Sequence, residues 1–195
     1  MEYRYEPPRL ETLLTGLAGA TVMARYYRDF AASLGLSGNE RVLDWCAGSG
    51  AISAHIARRL PSGSLIYADV SETWLRFAGR RLRSWSNASP ARLACFEGPV
   101  AGGSYGLIVV HYALHDFPEA LRPMILGQLA QNLAPGGTLA LREPVSRAGS
   151  HGISPHSLFN LLEAHKELEY QYGFGRHRLA GEYVDARCRL RREMV

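Results

Sequence analysis

Apolar and polar positions along this chain switch repeatedly between the period of a strand and that of a helix. Val42-Leu43 is a short apolar run ending on Asp44 and reads as a strand. From Ala51 to Leu60, Ile52, Ile56 and Leu60 recur at helical spacing, and Pro61-Ser62-Gly63 stops that helix. SLIYADV (64–70) predicts a second strand. Ser71 is a natural N-cap for a helix running to Trp85, which puts Trp74, Leu75, Ala78 and Leu82 on one face. NASP (87–90) predicts a turn and RLACF (92–96) a third strand. YGLIVVHYA (105–113) is the most apolar run and reads as a central strand covered on both faces. A helix over 119–133 takes Pro123 in its first turn, Ala134-Pro135-Gly136-Gly137 ends it, and TLALRE (138–143) is a fifth strand.

Alternating strands and helices imply right-handed crossovers and a parallel sheet covered by helices. The ends depart from that rhythm. Residues 9–35 predict two helices before the first strand. Residues 155–168 predict a helix with Leu158, Leu161, Leu162 and His165 on one face. EYQYGF and EYVDARCRL follow; Val184, Ala186, Cys188 and Leu190 alternate as in a strand, so the pair predicts an antiparallel addition to the sheet. The fold class expected is α/β: a Rossmann-like, doubly wound, mostly parallel seven-stranded sheet with an antiparallel C-terminal strand and helices on both faces. A single domain is expected over 1–195, with a helical lid over 1–38, a core over 39–145 and a C-terminal helix with antiparallel strands over 146–195.

Composition narrows this further. The length of 195 residues suits one domain. No apolar run reaches the roughly 20 residues of a membrane helix, and the N-terminus has no signal-peptide core, so a cytoplasmic protein is expected. Cys46, Cys95 and Cys188 are scattered with no CxxC, which fits neither a disulfide framework nor a zinc set. The net charge is +4, almost all of the positive charge being arginine. Arg80, Arg81 and Arg83, like Arg187, Arg189, Arg191 and Arg192, are read as a solvated helix face and a charged edge strand. No aromatics interleave in a nucleic-acid pattern. Nucleic acid is therefore not an expected partner; a membrane surface is compatible but not required.

The chemistry concentrates in VLDWCAGSG (42–50). Ligands of doubly wound sheets sit beyond the C-terminal ends of the strands. Gly48 and Gly50 let the backbone come close to a ligand. Asp69, about 20 residues on, has the spacing of an acid that accepts bonds from ribose hydroxyls. A nicotinamide dinucleotide asks for GxGxxG; here the third glycine is missing, and Asp44 would repel a pyrophosphate. A carboxylate there suits a ligand with an ammonium group, which favours S-adenosylmethionine over NAD.

VLDWCAGSG resembles the first motif of class I S-adenosylmethionine-dependent methyltransferases, of the small-molecule quinone-biosynthesis and O-methyltransferase kind. ADVS around Asp69 and Val70 resembles their ribose motif, CFEG puts Glu97 and Gly98 near the adenine, YGLIVVHYALHDF resembles the fourth strand and its active-site loop, and NLAPGGTLALREP the turn before the fifth strand. The resemblance covers residues 40–145. It implies S-adenosyl-L-methionine as cofactor and S-adenosyl-L-homocysteine as product. It implies cofactor contacts from Asp44, Cys46, Ala47, Gly48, Gly50, Asp69, Val70, Glu97, Gly98 and the His111 backbone. Cys46 stands where the family usually has its first glycine, and Glu97 replaces a more usual aspartate.

LHDF (114–117) resembles the segment that carries the catalytic histidine of small-molecule O-methyltransferases, which implies His115 as a general base. Tyr26 and Tyr27, on a lid helix, are candidates to face the sulfonium and the acceptor; core packing is the alternative for each. Glu143 is a candidate to face the acceptor, with a surface ion pair as its alternative. No DPPY- or NPPF-like tetrapeptide follows the fourth strand, and no paired aspartates occupy the magnesium positions of catechol-type enzymes, so no metal is expected. The acceptor expected is a phenolic or quinone-like small molecule methylated on oxygen or carbon. The alternatives are a phospholipid or other amine N-methyltransferase and a non-catalytic cofactor-binding subunit. A monomer or homodimer is expected.

Overall fold

A computed structural model describes residues 6–8, 10, 14–15, 21–93, 100–145, 152–178 and 180–191. The chain forms two compact units, Met1–Cys95 and Phe96–Val195. Seven strands are described, three in the first unit and four in the second, the number expected of the Rossmann-like fold.

The first unit holds α1 (Ala24–Ser33), β1 (Arg41–Trp45), α2 (Ala51–Ala57), β2 (Ser64–Asp69), α3 (Glu72–Leu82) and β3 (Ala88–Arg92). Its strands run in the order β3-β2-β1, all parallel, with Arg41 opposite Ser64 and Leu65 opposite Ala88. Val42, Leu43 and Trp45 are fully buried, as are Leu60 and Leu65. Ser71 caps α3 by accepting a bond from the Trp74 N–H at 3.1 Å.

One prediction fails here. Residues 88–90 lie in β3 rather than in a turn. Pairing with β2 overrides the turn preference of Asn-Ala-Ser-Pro, and the Asn87 amide instead ties the strand's start to the carbonyls of Ala57 and Leu60 at 2.9 Å each. Pro90, lacking an N–H, is tolerated on a strand with a neighbour on one side only within this unit.

The second unit holds β4 (Tyr105–His111), single 3-10 turns at Leu114–Asp116 and Glu119–Leu121, α4 (Arg122–Gln131), β5 (Leu133–Pro144), α5 (Pro155–Ala164), β6 (Leu168–His177) and β7 (Gly181–Leu190). The order is β4-β5-β7-β6, with β4 and β5 parallel and β7 antiparallel to both its neighbours. Leu107 to Val110 are buried on both faces of β4, as their unbroken apolar run requires. β5 begins earlier than expected: the Pro-Gly-Gly turn is absorbed into the strand as an irregularity opposite Tyr105 and Leu107. A Cβ on Gly137 would stand 2.6 Å from the Tyr105 carbonyl oxygen, so only glycine allows that approach. Among the described residues no helix is long and apolar enough to cross a membrane.

Candidate active site

In the first unit, β1 delivers Asp44 and Trp45 into a turn whose backbone alternates through the left-handed region. Cys46 has φ +57°, Gly48 +53° and Gly50 +69°. A Cβ on Gly48 would have nothing within 4 Å, so this face of the turn is open to a ligand. A Cβ on Gly50 would stand 2.9 Å from that of Ala78, which lets α3 close onto the start of α2. The turn is held by Ala47 N–H to Ala68 O at 2.9 Å and Gly50 N–H to Ala47 O at 3.0 Å.

Two buried carboxylates flank it. Asp44 accepts a 2.5 Å bond from Ser53 Oγ. Burial pushes its carboxyl up to about 7; the Ser53 bond opposes this and the charge of Asp69 adds to it. Asp69 accepts from the Gly48 N–H at 2.8 Å and the Ser71 N–H at 2.9 Å. Burial raises its pKa as well, against these backbone bonds and with the charge of Glu6. Each Asp69 oxygen keeps a lone pair for a ribose hydroxyl. Two acids that repel each other in a dry site favour a cationic, hydroxyl-bearing ligand, which is the chemistry of S-adenosylmethionine.

Glu6 joins this region. Its carboxylate accepts from Ser71 Oγ at 2.8 Å and from the N–H groups of Glu72 and Thr73 at 2.9 and 3.2 Å. Desolvation pulls its pKa up, but the Ser71, Thr73 and Glu72 bonds outweigh it and bring the value down to about 2. Val70 is buried at the end of β2. Tyr26 is buried in α1, with its ring 5.6 Å from that of Tyr27. Burial raises the Tyr27 pKa and the Arg81 charge opposes the rise. Glu97 and Gly98 lie outside the described residues.

In the second unit the chemistry gathers where β4 and β5 end. Glu143 has no exposure. Its carboxylate accepts from the N–H groups of Ala113, Leu114 and His115 at 3.1, 2.8 and 3.2 Å, which line the start of the Leu114–Asp116 turn. It also takes His115 Nδ1 at 2.7 Å. Since Glu143 only accepts, Nδ1 carries the proton and Nε2 is left as the basic nitrogen. Glu143 therefore orients His115, which is a place different from both the acceptor-facing and the surface-pair expectation. Asp116 Oδ1 lies 3.3 Å from Nε2. Burial lowers the His115 pKa, but the Glu143 bond and charge, with Asp116, outweigh burial and the opposing Arg122, so the net shift is upward.

Arg122 ties the same loop from α4, donating to Phe117 O at 3.0 Å and His115 O at 3.1 Å. His111 stacks on Tyr112 at 4.4 Å, and burial with the Arg142 charge brings its pKa down to about 3, so it is neutral. Ser53, Glu6 and Arg122 belong to no motif in the sequence. Their partners lie 9, 65 and 7 residues away, and only folding reveals them. Among the described residues no three His, Cys, Asp or Glu side chains come together as a metal set.

A family model described as a methyltransferase domain matches residues 42–137. The chain is 28% identical over 142 residues to carboxy-S-adenosyl-L-methionine synthase of Hydrogenovibrio crunogenus, covering 71% of this chain and 51% of that one. An N-methyltransferase from Bradyrhizobium japonicum, solved with S-adenosyl-L-homocysteine, superposes with a TM-score of 0.71 at 22% identity, covering 86% of this chain and 87% of that one. Magnesium protoporphyrin IX methyltransferase from Synechocystis, solved with S-adenosylmethionine bound, gives 0.65 at 17% identity over 88% and 80%. At these identities the solved structures speak to the fold. The chain spans about half the length of the curated relatives it matches.

Proposed function

We propose that this chain, matched over residues 42–137 by a methyltransferase-domain family model, is an S-adenosylmethionine-dependent methyltransferase that acts on an oxygen or acidic carbon of a phenolic or quinone-like small molecule. One observation carries the choice of acceptor atom: His115, with Nδ1 held by the buried Glu143 and Nε2 left basic. An amine with a free lone pair needs no such base, whereas a hydroxyl or acidic carbon must lose a proton.

In this reading Asp44 takes the donor's ammonium group, Asp69 its ribose hydroxyls, and Gly48 lets the backbone approach. The bound sulfonium supplies an activated methyl and leaves as a neutral thioether. His115 Nε2 removes the acceptor's proton as the new bond to the methyl carbon forms. The imidazolium produced is stabilised by Glu143 on one side and Asp116 on the other.

Calorimetric titration tests the reading. S-adenosylmethionine and S-adenosylhomocysteine should bind the wild type, NADH should not, and Asp69→Ala should weaken both sulfur ligands roughly tenfold or more. With a panel of phenols and quinols, His115→Ala should lower kcat roughly 10²- to 10⁴-fold while leaving donor affinity unchanged. Failure of either sulfur ligand to bind the folded wild type overturns the reading.

A further inference from the structure

Outside the site just described, the second unit contains a cavity of about 310 Å³ between α5 and the sheet. Leu162 and Val184, both almost fully buried, lie at its base. Phe159, Tyr172 and Phe174 line it and stay 41%, 53% and 61% exposed. These three rings, with Tyr170, form a ladder of tilted and edge-to-face contacts at 5.9–6.4 Å. Exposed rings on a strand with a neighbour on one side only are a liability in water unless something covers them. Among the described residues that line it there is no Asp, Glu, Lys or Arg; His156 and Tyr172 carry its polar side-chain groups.

The strand register locates the cavity relative to the chemistry. Glu143 on β5 is directly opposite Val184 on β7, and Val184 is opposite Phe174 on β6. Residues opposite one another in antiparallel strands project to the same face. Glu143, Val184 and Phe174 therefore form one row across three strands, and His115 is bonded to the first of them. The cavity begins one strand away from the carboxylate that orients the base, about 5 Å in sheet spacing.

We infer that this cavity takes the ring system of the methyl acceptor, and that the acceptor is a flat, uncharged aromatic compound whose reactive group is presented toward His115. The inference rests on the proposed methyl transfer and adds where the acceptor's ring is held and that it carries no charge. The volume falls at the small end of ligand pockets, enough for one or two fused rings. The ring ladder offers edge-to-face partners to an aromatic guest, and the described lining residues offer an ionic guest no counter-ion.

Titration with 2-naphthol, followed by its own fluorescence, tests this. Saturable binding to the wild type is expected. Phe174→Ala and Tyr172→Ala should each weaken it roughly fivefold to tenfold, and Met124→Ala, an exposed residue of α4, should leave it unchanged. Naphthalene-2-sulfonate should bind at least tenfold more weakly than the phenol. Phe174 and Tyr172 are more than half exposed, so neither truncation threatens the fold. Equal 2-naphthol affinity in wild type and ring variants, or equal affinity for the sulfonate, overturns the inference. S-adenosylmethionine titrated into the same proteins separates the two readings. Intact donor binding with no effect of the ring variants overturns the cavity assignment alone. Ring-dependent naphthol binding without donor binding supports the cavity and overturns the methyltransferase reading.

Discussion

His115 and Glu143 show how one buried carboxylate can set both the geometry and the proton affinity of a base. The pair raises the His115 pKa, so its contribution to stability is full below the ordinary histidine value and is lost as pH rises through the raised one. Catalysis needs the neutral ring, so activity should rise with pH over the same window in which that stabilisation fades. Glu143→Gln removes the largest upward influence and leaves burial and Arg122 opposed only by Asp116. The acid limb of the kcat/KM profile should then move to lower pH, with the plateau falling roughly 10²-fold. A limb that stays in place means that another group is the base. LHDF was singled out in the sequence, by its resemblance, as the segment that would carry a base. Glu143's role was not, because nothing in a chain of residues shows that position 143 will stand against the N–H groups of residues 113–115.

Among the elements, the turn between β1 and α2 was the most legible, since its glycines and acids are local. Its strain was legible only as a substitution. Cys46 holds φ +57°, a conformation that costs a side-chain-bearing residue about 1–2 kcal/mol. Cys46→Gly relieves that strain and loses part of the gain to the greater freedom of the unfolded chain. A net stabilisation of about 0.5–1 kcal/mol is expected, read as a higher urea midpoint at unchanged slope. A lower midpoint means that the half-buried thiol packs well enough to outweigh the strain. The Ala88–Arg92 strand and the absorbed Pro-Gly-Gly turn were illegible for the opposite reason. Turn-forming residues were drawn into strands by pairing with Leu65–Asp69 and with Tyr105.

For the molecule as a whole, the buried acids beside the glycine turn set the proposed ligand binding against stability. Asp44 titrates near 7 in the folded chain and near 3.8 when unfolded. The folded state therefore holds its proton more tightly, and stability declines as pH rises from about 4 to about 7. Asp44→Asn keeps a partner for Ser53 and abolishes that loss. Its Tm should exceed that of the wild type by roughly 3–8 °C at pH 8, with the gap closing at pH 4. Calorimetric titration should show donor affinity in the same variant reduced roughly tenfold or more. A Tm gap that does not change with pH means that Asp44 is ionised throughout.

The alternation of strand and helix, the antiparallel C-terminal pair and the glycine turn after the first strand were determined by the sequence alone, which also singled out Asp44, Asp69 and His115 as candidates. Each is a local matter of apolar period, glycine spacing or residue type. The tertiary structure decided what depends on distant partners: Glu143 as the carboxylate that orients His115, Ser53 and Glu6 beside the acids, and Arg122 across the loop that carries His115. It alone brought Phe159 of α5 to Tyr172 and Phe174 of β6 around a cavity. Period tells a side chain which face of its own element it occupies, whereas strand register and helix packing determine what faces it.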